Sequence, residues 1–252
     1  MNRNIKLTIA YDGTDFNGWQ RQSDSNNIRT IQGEIENALE KIHGHPVSLT
    51  GCGRTDSGVH AAGQAANFYT DIDSIPPDRF TPALNSLLPH DVRIIDSGET
   101  DENFHARFSA TSRLYRYQFL CRQPLPHEKR FHSRLYRYPS LELLNAYGRL
   151  LFGETDCSIF AGAGDTSKSK NRFIYRAYFY MEKDSLIFEI NANAFLRGMV
   201  RSVAGTFLHY EETATAPEKL REIIASKERS LAGPTLPPQG LFLWNVKYLN
   251  SY

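Results

Sequence analysis

One order of predicted elements occurs twice along the 252-residue chain, and it limits the folds that the chain can adopt. In the first half, alternation of apolar and polar residues predicts strands at residues 5–11, 47–50, 64–69 and 92–95. Apolar residues at helical spacing predict a helix between Thr30 as the N-cap and Gly44 as the stop, and another at residues 78–88. The predicted order is β-α-β-β-α-β.

The second half repeats this order. Strands are predicted at residues 114–120, 173–181, 186–190 and 241–248, with helices at 141–152 and 196–208 and an extra helix at 217–227. Two ferredoxin-like halves follow, residues 1–107 and 108–252, in an α+β fold. We expect their sheets to join in one long, mostly antiparallel sheet with helices on one face, and a single ligand cleft between the halves.

Composition excludes several classes of protein. Hydrophobic residues make up 40% and charged residues 23%, which is typical of folded, water-soluble proteins. No apolar run approaches the roughly 18 residues of a membrane span, and the start MNRNIKLTIAYDG lacks an apolar signal-peptide core, so we expect a cytoplasmic protein that does not bind membranes. Cys52, Cys121 and Cys157 are too scattered for a disulfide framework or a zinc site. Because GxGxxG and GxxxxGK[ST] motifs are absent, no cofactor is predicted.

Charge is unevenly distributed. The formal net charge is +1, yet residues 113–137 contain seven basic residues and one acid, a net +6, so the rest of the chain carries −5. Aromatic residues alternate with these charges, and a second basic run follows at residues 168–176. Basic and aromatic side chains together suit RNA, because cations neutralise phosphates and rings stack on bases. A solvated charged face above an aromatic core is the alternative.

The segment GCGRTDSGVHAAGQ, residues 51–64, is the most unusual in the chain. Its glycines permit a close approach to a ligand, and Arg54, Asp56 and His60 are its candidates for acid, base or nucleophilic chemistry. Asp56 is either catalytic or the holder of a turn, and the pattern alone does not decide between these. His60 is better explained as stabilising the turn than as a metal ligand, since no third ligand accompanies it.

Several motifs, in order along the chain, resemble the tRNA pseudouridine synthase A family. GRTDSGVHAAGQ resembles the active-site loop of that family. The other matching segments are YDGTDFNGWQRQ, LNSLLPHDVRI, NFHARFSATSRLYRY, NANAFLRGMVRSVAG and PPQGLFLWNVKY. The resemblance implies the pseudouridine synthase fold and the isomerisation of uridines at tRNA positions 38 to 40, in the anticodon stem-loop. It also implies a cytoplasmic homodimer that uses neither a metal nor an organic cofactor.

The same resemblance implies three catalytic residues. Asp56 falls on the catalytic aspartate, Tyr115 on the active-site tyrosine and Arg201 on the arginine that pairs with the aspartate. The reaction breaks the bond from uracil N1 to ribose C1′ and rejoins the base through C5, so one ionised carboxylate suffices. It can add to C6, attack C1′ or remove a proton from C2′, and the sequence does not choose among these routes.

Residue chemistry is compatible with these roles but leaves alternatives open. Arg201 favours an ionised Asp56 if the two are neighbours, and its apolar surroundings in sequence argue against a simple surface position. Tyr115 can stack on uracil or move a proton, whereas a core position on its strand is the alternative. Arg54 is a candidate for holding the extruded nucleotide. The candidates for contacts with the tRNA backbone are Arg113, Arg116, Lys168 and Lys170.

This chain also differs from the family in places. Leu114 stands where a basic residue is common, Arg197 and Gly198 precede MVR where histidines are common, and residues 160–170 match loosely. A noncatalytic RNA-binding or tRNA-folding protein on the same scaffold is the competing hypothesis. The presence of Asp56, Tyr115 and Arg201 favours the enzyme.

Overall fold

The computed structural model describes residues 3–22 and 28–249, and within them the chain forms ten strands and five α-helices. The predicted α+β class is therefore confirmed. The chain divides into two compact units. One contains the residues up to Thr111 together with those from Phe242 onward, and the second contains Ser112–Leu241.

The first unit follows the predicted order of elements. Its elements are β1 (Arg3–Tyr11), α1 (Ile31–His43), β2 (Thr50–Gly51), β3 (His60–Thr70), α2 (Phe80–Asn85) and β4 (Val92–Thr100). β1 lies between β4 and β3 and is antiparallel to both, and β2 pairs antiparallel with β3. The predicted mostly antiparallel pairing is confirmed within this unit.

One face of β1 and β3 forms the core of the first unit. Ile5, Leu7 and Ile9 alternate along β1 and are fully buried. Opposite Ile5, the ring of Phe68 contacts Phe80 of α2 at 5.3 Å between centroids, and it also contacts His43 of α1. Both helices therefore pack on the same face of this sheet, because they meet the same strand side chains.

The second unit is built on four antiparallel strands. Its elements, in chain order, are β5 (Ala110–Leu120), β6 (Ser133–Arg134), α3 (Leu141–Arg149), β7 (Gly153–Asp156), β8 (Asn171–Glu182), β9 (Ser185–Ala192), α4 (Met199–Glu212) and α5 (Pro217–Ser226). The strand order is β5-β9-β8-β7, and β6 pairs parallel with β5. The last strand, β10 (Leu241–Tyr248), lies in the first unit from Phe242 onward. It pairs parallel with β3, where Phe242 lies opposite His60.

Aromatic side chains fill the core of the second unit. Phe179 of β8 and Phe188 of β9 stack at 4.5 Å between centroids, and Phe207 of α4 contacts both rings. Tyr147 of α3 contacts Phe207 as well. Because α3 and α4 meet the same aromatic cluster, both helices cover one face of the β8–β9 pair. Aromatic pairs in this geometry add about 0.5–1.5 kcal/mol each beyond the burial of their area.

The structure differs from the predicted elements in five places. Residues 60–63, predicted as loop, begin β3, because β1 and β10 supply backbone partners on either side of them. The strand predicted at 47–50 is only Thr50–Gly51, and the helix predicted at 78–88 is a 3₁₀ turn, Pro77–Arg79, followed by the six residues of α2. The sequence predicts no element at residues 122–139 or 153–156, but these stretches contain β6 and β7. None of the helices in residues 3–22 and 28–249 is long and apolar enough to cross a membrane.

Candidate active site

The strand β1 and the loop that follows it, residues 12–22 (the opening loop), form hydrogen bonds with the segment that carries Asp56. The hydroxyls of Tyr11 and Thr55 share a hydrogen bond of 2.8 Å, and the backbone N–H of Trp19 donates to the carbonyl of Thr55 at 3.2 Å. The Ser57 hydroxyl donates to the carbonyl of Phe16 at 3.1 Å. The residues on both sides of Asp56 are therefore anchored.

Gly18 makes possible the close approach of the opening loop to the backbone of Thr55. Gly18 has a φ of +84°, and a Cβ atom at this position would lie 2.7 Å from the carbonyl oxygen of Thr55. An L-residue would face both a disfavoured backbone conformation and a clash with backbone atoms. The glycine of the FNGW segment is thus explained by its approach to the Asp56 loop rather than by flexibility.

His60 has the structural role that the sequence favoured. Its Nδ1 accepts the backbone N–H of Gly13 at 3.0 Å, the side chain is fully buried, and the ring stacks on Phe242 at 4.7 Å between centroids. A buried imidazole with these contacts fixes the opening loop against the start of β3. Within the described residues, moreover, no group of three His, Cys, Asp or Glu could hold a metal ion.

Asp56 is partly exposed at the turn that precedes β3. Its carbonyl accepts the backbone N–H of Val59 at 3.1 Å, and this hydrogen bond closes the turn. Arg54, two residues earlier, is exposed, and its Nε donates to Oε1 of Gln20 at 3.0 Å. The Asp56 loop therefore carries the Asp56 carboxylate and the Arg54 guanidinium on a constrained backbone.

Tyr115 lies on β5 in the second unit, opposite Ile190 of β9. It shares a face with Tyr117 and Phe119, since side chains alternate along a strand. Tyr117 and Phe119 are at most 1% exposed and are core residues, whereas Tyr115 is partly exposed. The ring of Phe195 meets the Tyr115 ring edge-on at 4.9 Å between centroids. Of this aromatic row, only Tyr115 is open to a substrate.

Arg201 lies in the first turn of α4, also in the second unit. The side chain is partly exposed, and its Nε donates to the carbonyl of Leu236 at 2.6 Å. Its neighbours Val200, Ser202 and Val203 are buried. Arg201 thus lies partly exposed among buried neighbours, and the Leu236 carbonyl orients the guanidinium.

Two of the basic residues predicted to contact tRNA have carboxylate partners. The Nε of Arg116 donates to Glu189 at 2.7 Å, and Glu189, only 1% exposed, also accepts the Tyr178 hydroxyl at 2.8 Å. Lys170 forms an ion pair with Asp165. Arg113 donates to the carbonyl of Asn193 at 2.7 Å, while Lys168 is exposed.

Sequence reasoning missed the two acids that organise these cations. Glu189 interrupts an otherwise apolar strand, LIFEI, and a charged residue in such a run was a signal for a buried ion pair. Asp165 precedes Ser167 by two positions, the spacing of a turn in which the Asp side chain accepts a backbone N–H.

Comparison with known proteins defines the class and then the family. Residues 7–109 and 148–249 match the family model described as tRNA pseudouridine synthase, so the fold and the Asp56 loop belong to a class of RNA-modifying isomerases. The protein named tRNA pseudouridine synthase A from Treponema denticola is 52% identical over 249 residues, covering 98% of this chain and 93% of the relative. Its counterpart from Caldicellulosiruptor saccharolyticus is 43% identical over 249 residues, covering 98% and 100%. The chain belongs to the tRNA pseudouridine synthase family, whose members convert uridine in tRNA to pseudouridine.

Proposed function

We propose that this chain isomerises uridines at positions 38 to 40 in the anticodon stem-loop of tRNA. The observation that carries the proposal is the intact GRTDSGVHA loop, presented on an anchored turn, in a chain 52% identical to a tRNA pseudouridine synthase A over nearly its whole length. The choice of positions rests on the motif resemblance, and the reaction rests on family membership.

Asp56 is the group on which the reaction depends in this proposal. An ionised carboxylate adds to C6 of uracil, attacks C1′ of the ribose, or takes the C2′ proton as the glycosidic bond breaks. In each route the bond between N1 and C1′ breaks, the base turns and C5 bonds to C1′. C5 then loses a proton and N1 gains one, so atoms and electrons balance without an added reactant. The anchored neighbours Thr55 and Ser57 supply the preorganisation that such a step requires.

Tyr115 and Arg201 complete the proposed catalytic set. Tyr115 is the partly exposed member of its aromatic row, so its ring is available to stack on the flipped base and its hydroxyl to transfer a proton. The motif resemblance assigns Arg201 to the arginine that pairs with the catalytic aspartate, and the Leu236 carbonyl orients its guanidinium. Arg54, Arg113, Arg116, Lys168 and Lys170 are the proposed contacts to the RNA.

The decisive test is the Asp56→Asn variant on unmodified tRNA. We expect pseudouridine formation to fall by about 10³-fold or more, because an amide cannot serve as nucleophile or base. tRNA affinity should stay within a few-fold, because phosphate contacts dominate binding. The measurement is pseudouridine mapping along the anticodon arm with a parallel binding titration, and Asp73→Asn, at an exposed position of the same unit, is the matched control.

Each outcome of this test decides something. Turnover retained by Asp56→Asn removes Asp56 from the chemistry. Pseudouridine formed outside positions 38 to 40 overturns the proposed choice of site. Wild-type protein that binds tRNA and forms no pseudouridine instead supports the noncatalytic RNA-binding alternative.

We also propose that the enzyme works as a homodimer in the cytoplasm, where its tRNA substrate is found. Family resemblance supports both statements. We expect sedimentation velocity of the purified chain to give twice the 28.7 kDa mass of one chain. A single species at the monomer mass, across concentrations that support turnover, would contradict the dimer.

A further inference from the structure

Asp165 is a nearly buried carboxylate that belongs to none of the proposed catalytic or RNA-binding residues. Its side chain is 6% exposed. Oδ1 accepts the backbone N–H of Ser167 at 3.0 Å and an ion pair from Lys170, while Oδ2 accepts the Ser167 hydroxyl at 3.3 Å and the backbone N–H of Arg197 at 2.8 Å. Burial raises the pKa of this carboxyl, but the hydrogen bonds from Lys170, Arg197 and Ser167 together lower it well below its ordinary value.

The contacts of Asp165 join two segments that are distant in sequence. The Arg197 N–H is held by Asp165, and the Arg197 carbonyl accepts the backbone N–H of Gly162 at 2.8 Å. A Cβ atom on Gly162 would lie 2.8 Å from that carbonyl oxygen, so the two backbones touch. Both backbone groups of Arg197 are therefore fixed by the segment 162–165.

Arg197 stands between two features of the proposed catalytic set. Two residues before it, Phe195 meets the Tyr115 ring edge-on at 4.9 Å. Directly after it, Gly198 adopts a φ of +66° and caps α4, whose first turn carries Arg201. A shift of the Arg197 backbone is thus transmitted to the side of the Tyr115 ring and to the start of the helix that orients Arg201.

We propose that Asp165 is a positioning residue for Tyr115 and Arg201, acting through the Arg197 N–H and the turn 195–198. The inference rests on the proposed catalytic roles of Tyr115 and Arg201. It also gives a function to residues 160–170, which match the family only loosely. In this arrangement Lys170 completes the charge balance of Asp165 rather than standing as an isolated cation.

The test replaces Asp165 by Asn. An amide offers one acceptor oxygen where the carboxylate offers two, so Ser167 with Lys170 and the Arg197 N–H can no longer all be satisfied. We expect amide hydrogen exchange at residues 195–200 to rise by about tenfold or more, because that backbone loses a charged acceptor. We expect kcat for pseudouridine formation to fall ~10- to 100-fold, the effect of a displacement of about 1 Å, with KM within about threefold.

Asp156 offers a closely matched control. Its carboxylate also accepts the backbone N–H and hydroxyl of the serine two residues later, Ser158, at 2.9 and 2.5 Å, and pairs with Lys227 at 2.8 Å. These partners, Ser158 and Lys227, lie outside the turn 195–198. Asp156→Asn therefore removes the same kind of cluster, and we expect unchanged exchange at residues 195–200 and unchanged kcat at temperatures well below unfolding.

Three results overturn the inference. These are unchanged exchange at residues 195–200 in Asp165→Asn, raised exchange with unchanged kcat, and equal loss of kcat in Asp165→Asn and Asp156→Asn. A failure of the proposed function looks different, because wild type itself then forms no pseudouridine. In that case exchange still decides whether Asp165 holds the turn.

Discussion

At the scale of single residues, buried acids decide more of this structure than the basic residues that stand out in the sequence. Glu189 gathers Arg116, Arg176 and Tyr178, and Asp165 gathers Lys170 with two backbone segments. A buried carboxylate must be satisfied by several donors, so each of these acids fixes the groups around it. Asp165 and Arg197 are far apart in sequence, so no local residue pattern predicts the hydrogen bond between them.

Asp156 gives a residue-scale prediction about pH. Lys227, and then the hydroxyl and N–H of Ser158, lower the pKa of Asp156 from 3.8 to about 2. Because the folded-state pKa is depressed, the stabilisation is fully present above pH 3.8 and is lost as pH falls through about 2. We expect the melting temperature of wild type to exceed that of Asp156→Asn at pH 5 and the two to converge towards pH 2.

Thermal unfolding followed by circular dichroism from pH 5 to pH 2 checks this. Asp73→Asn is the control, since Asp73 is exposed, and its melting temperature should follow wild type throughout. A difference between wild type and Asp156→Asn that stays constant over the whole range would contradict the assignment. Because the Asp156 side chain is 30% exposed, the effect is reduced by solvent screening and is best measured at low salt.

At the scale of elements, helices with local signals were predicted closely. Thr30 caps α1 by accepting the N–H of Gly33, and Gly44 ends it in the left-handed conformation with its N–H on the Glu40 carbonyl. Ser140 caps α3 in the same way, through the N–H of Leu143. These hydrogen bonds join residues three or four apart, so the sequence contains both partners and the prediction needs no tertiary information.

Strand ends follow a different rule. The start of β3 at His60 depends on Tyr11 of β1 and on Phe242 of β10, which lie about 50 and 180 positions away along the chain. The two-residue strand β6 exists because Ser133 and Arg134 pair with the last two residues of β5. Backbone partners of this kind leave no local residue pattern, so the sequence predicts no strand at residues 60–63 or 133–134.

At the scale of the whole molecule, a chain with a net charge of +1 must bind a polyanion through the distribution of its charges. Ion pairs reduce the number of available cations, since Arg116, Arg122, Arg137 and Lys170 all have carboxylate partners. Lys168 is exposed, and it lies in sequence between the two members of the Asp165–Lys170 ion pair. The affinity for tRNA therefore depends on fewer cations than the count in residues 113–137 and 168–176 suggests.

The salt dependence of tRNA binding measures this at single positions. We expect Lys168→Ala to lower the slope of log Kd against log salt by about 0.7–0.9, the value for one phosphate contact. Lys41→Ala, at an exposed position of α1, removes the same charge and should leave the slope unchanged. Filter binding of one tRNA across a range of salt concentrations supplies the measurement, and equal slopes for wild type and Lys168→Ala would remove Lys168 from the interface.

The sequence by itself determined the α+β class, the repeated order of elements, the caps of the helices and the glycine-rich segment that carries Asp56, because each of these is written in residues close together in the chain. Only the tertiary structure decided that Tyr115 is the open member of its aromatic row and that Glu189 and Asp165 neutralise the cations. These outcomes depend on which strands and turns meet, and burial makes such meetings selective, since a buried charge is stable only where distant parts of the chain bring it enough partners.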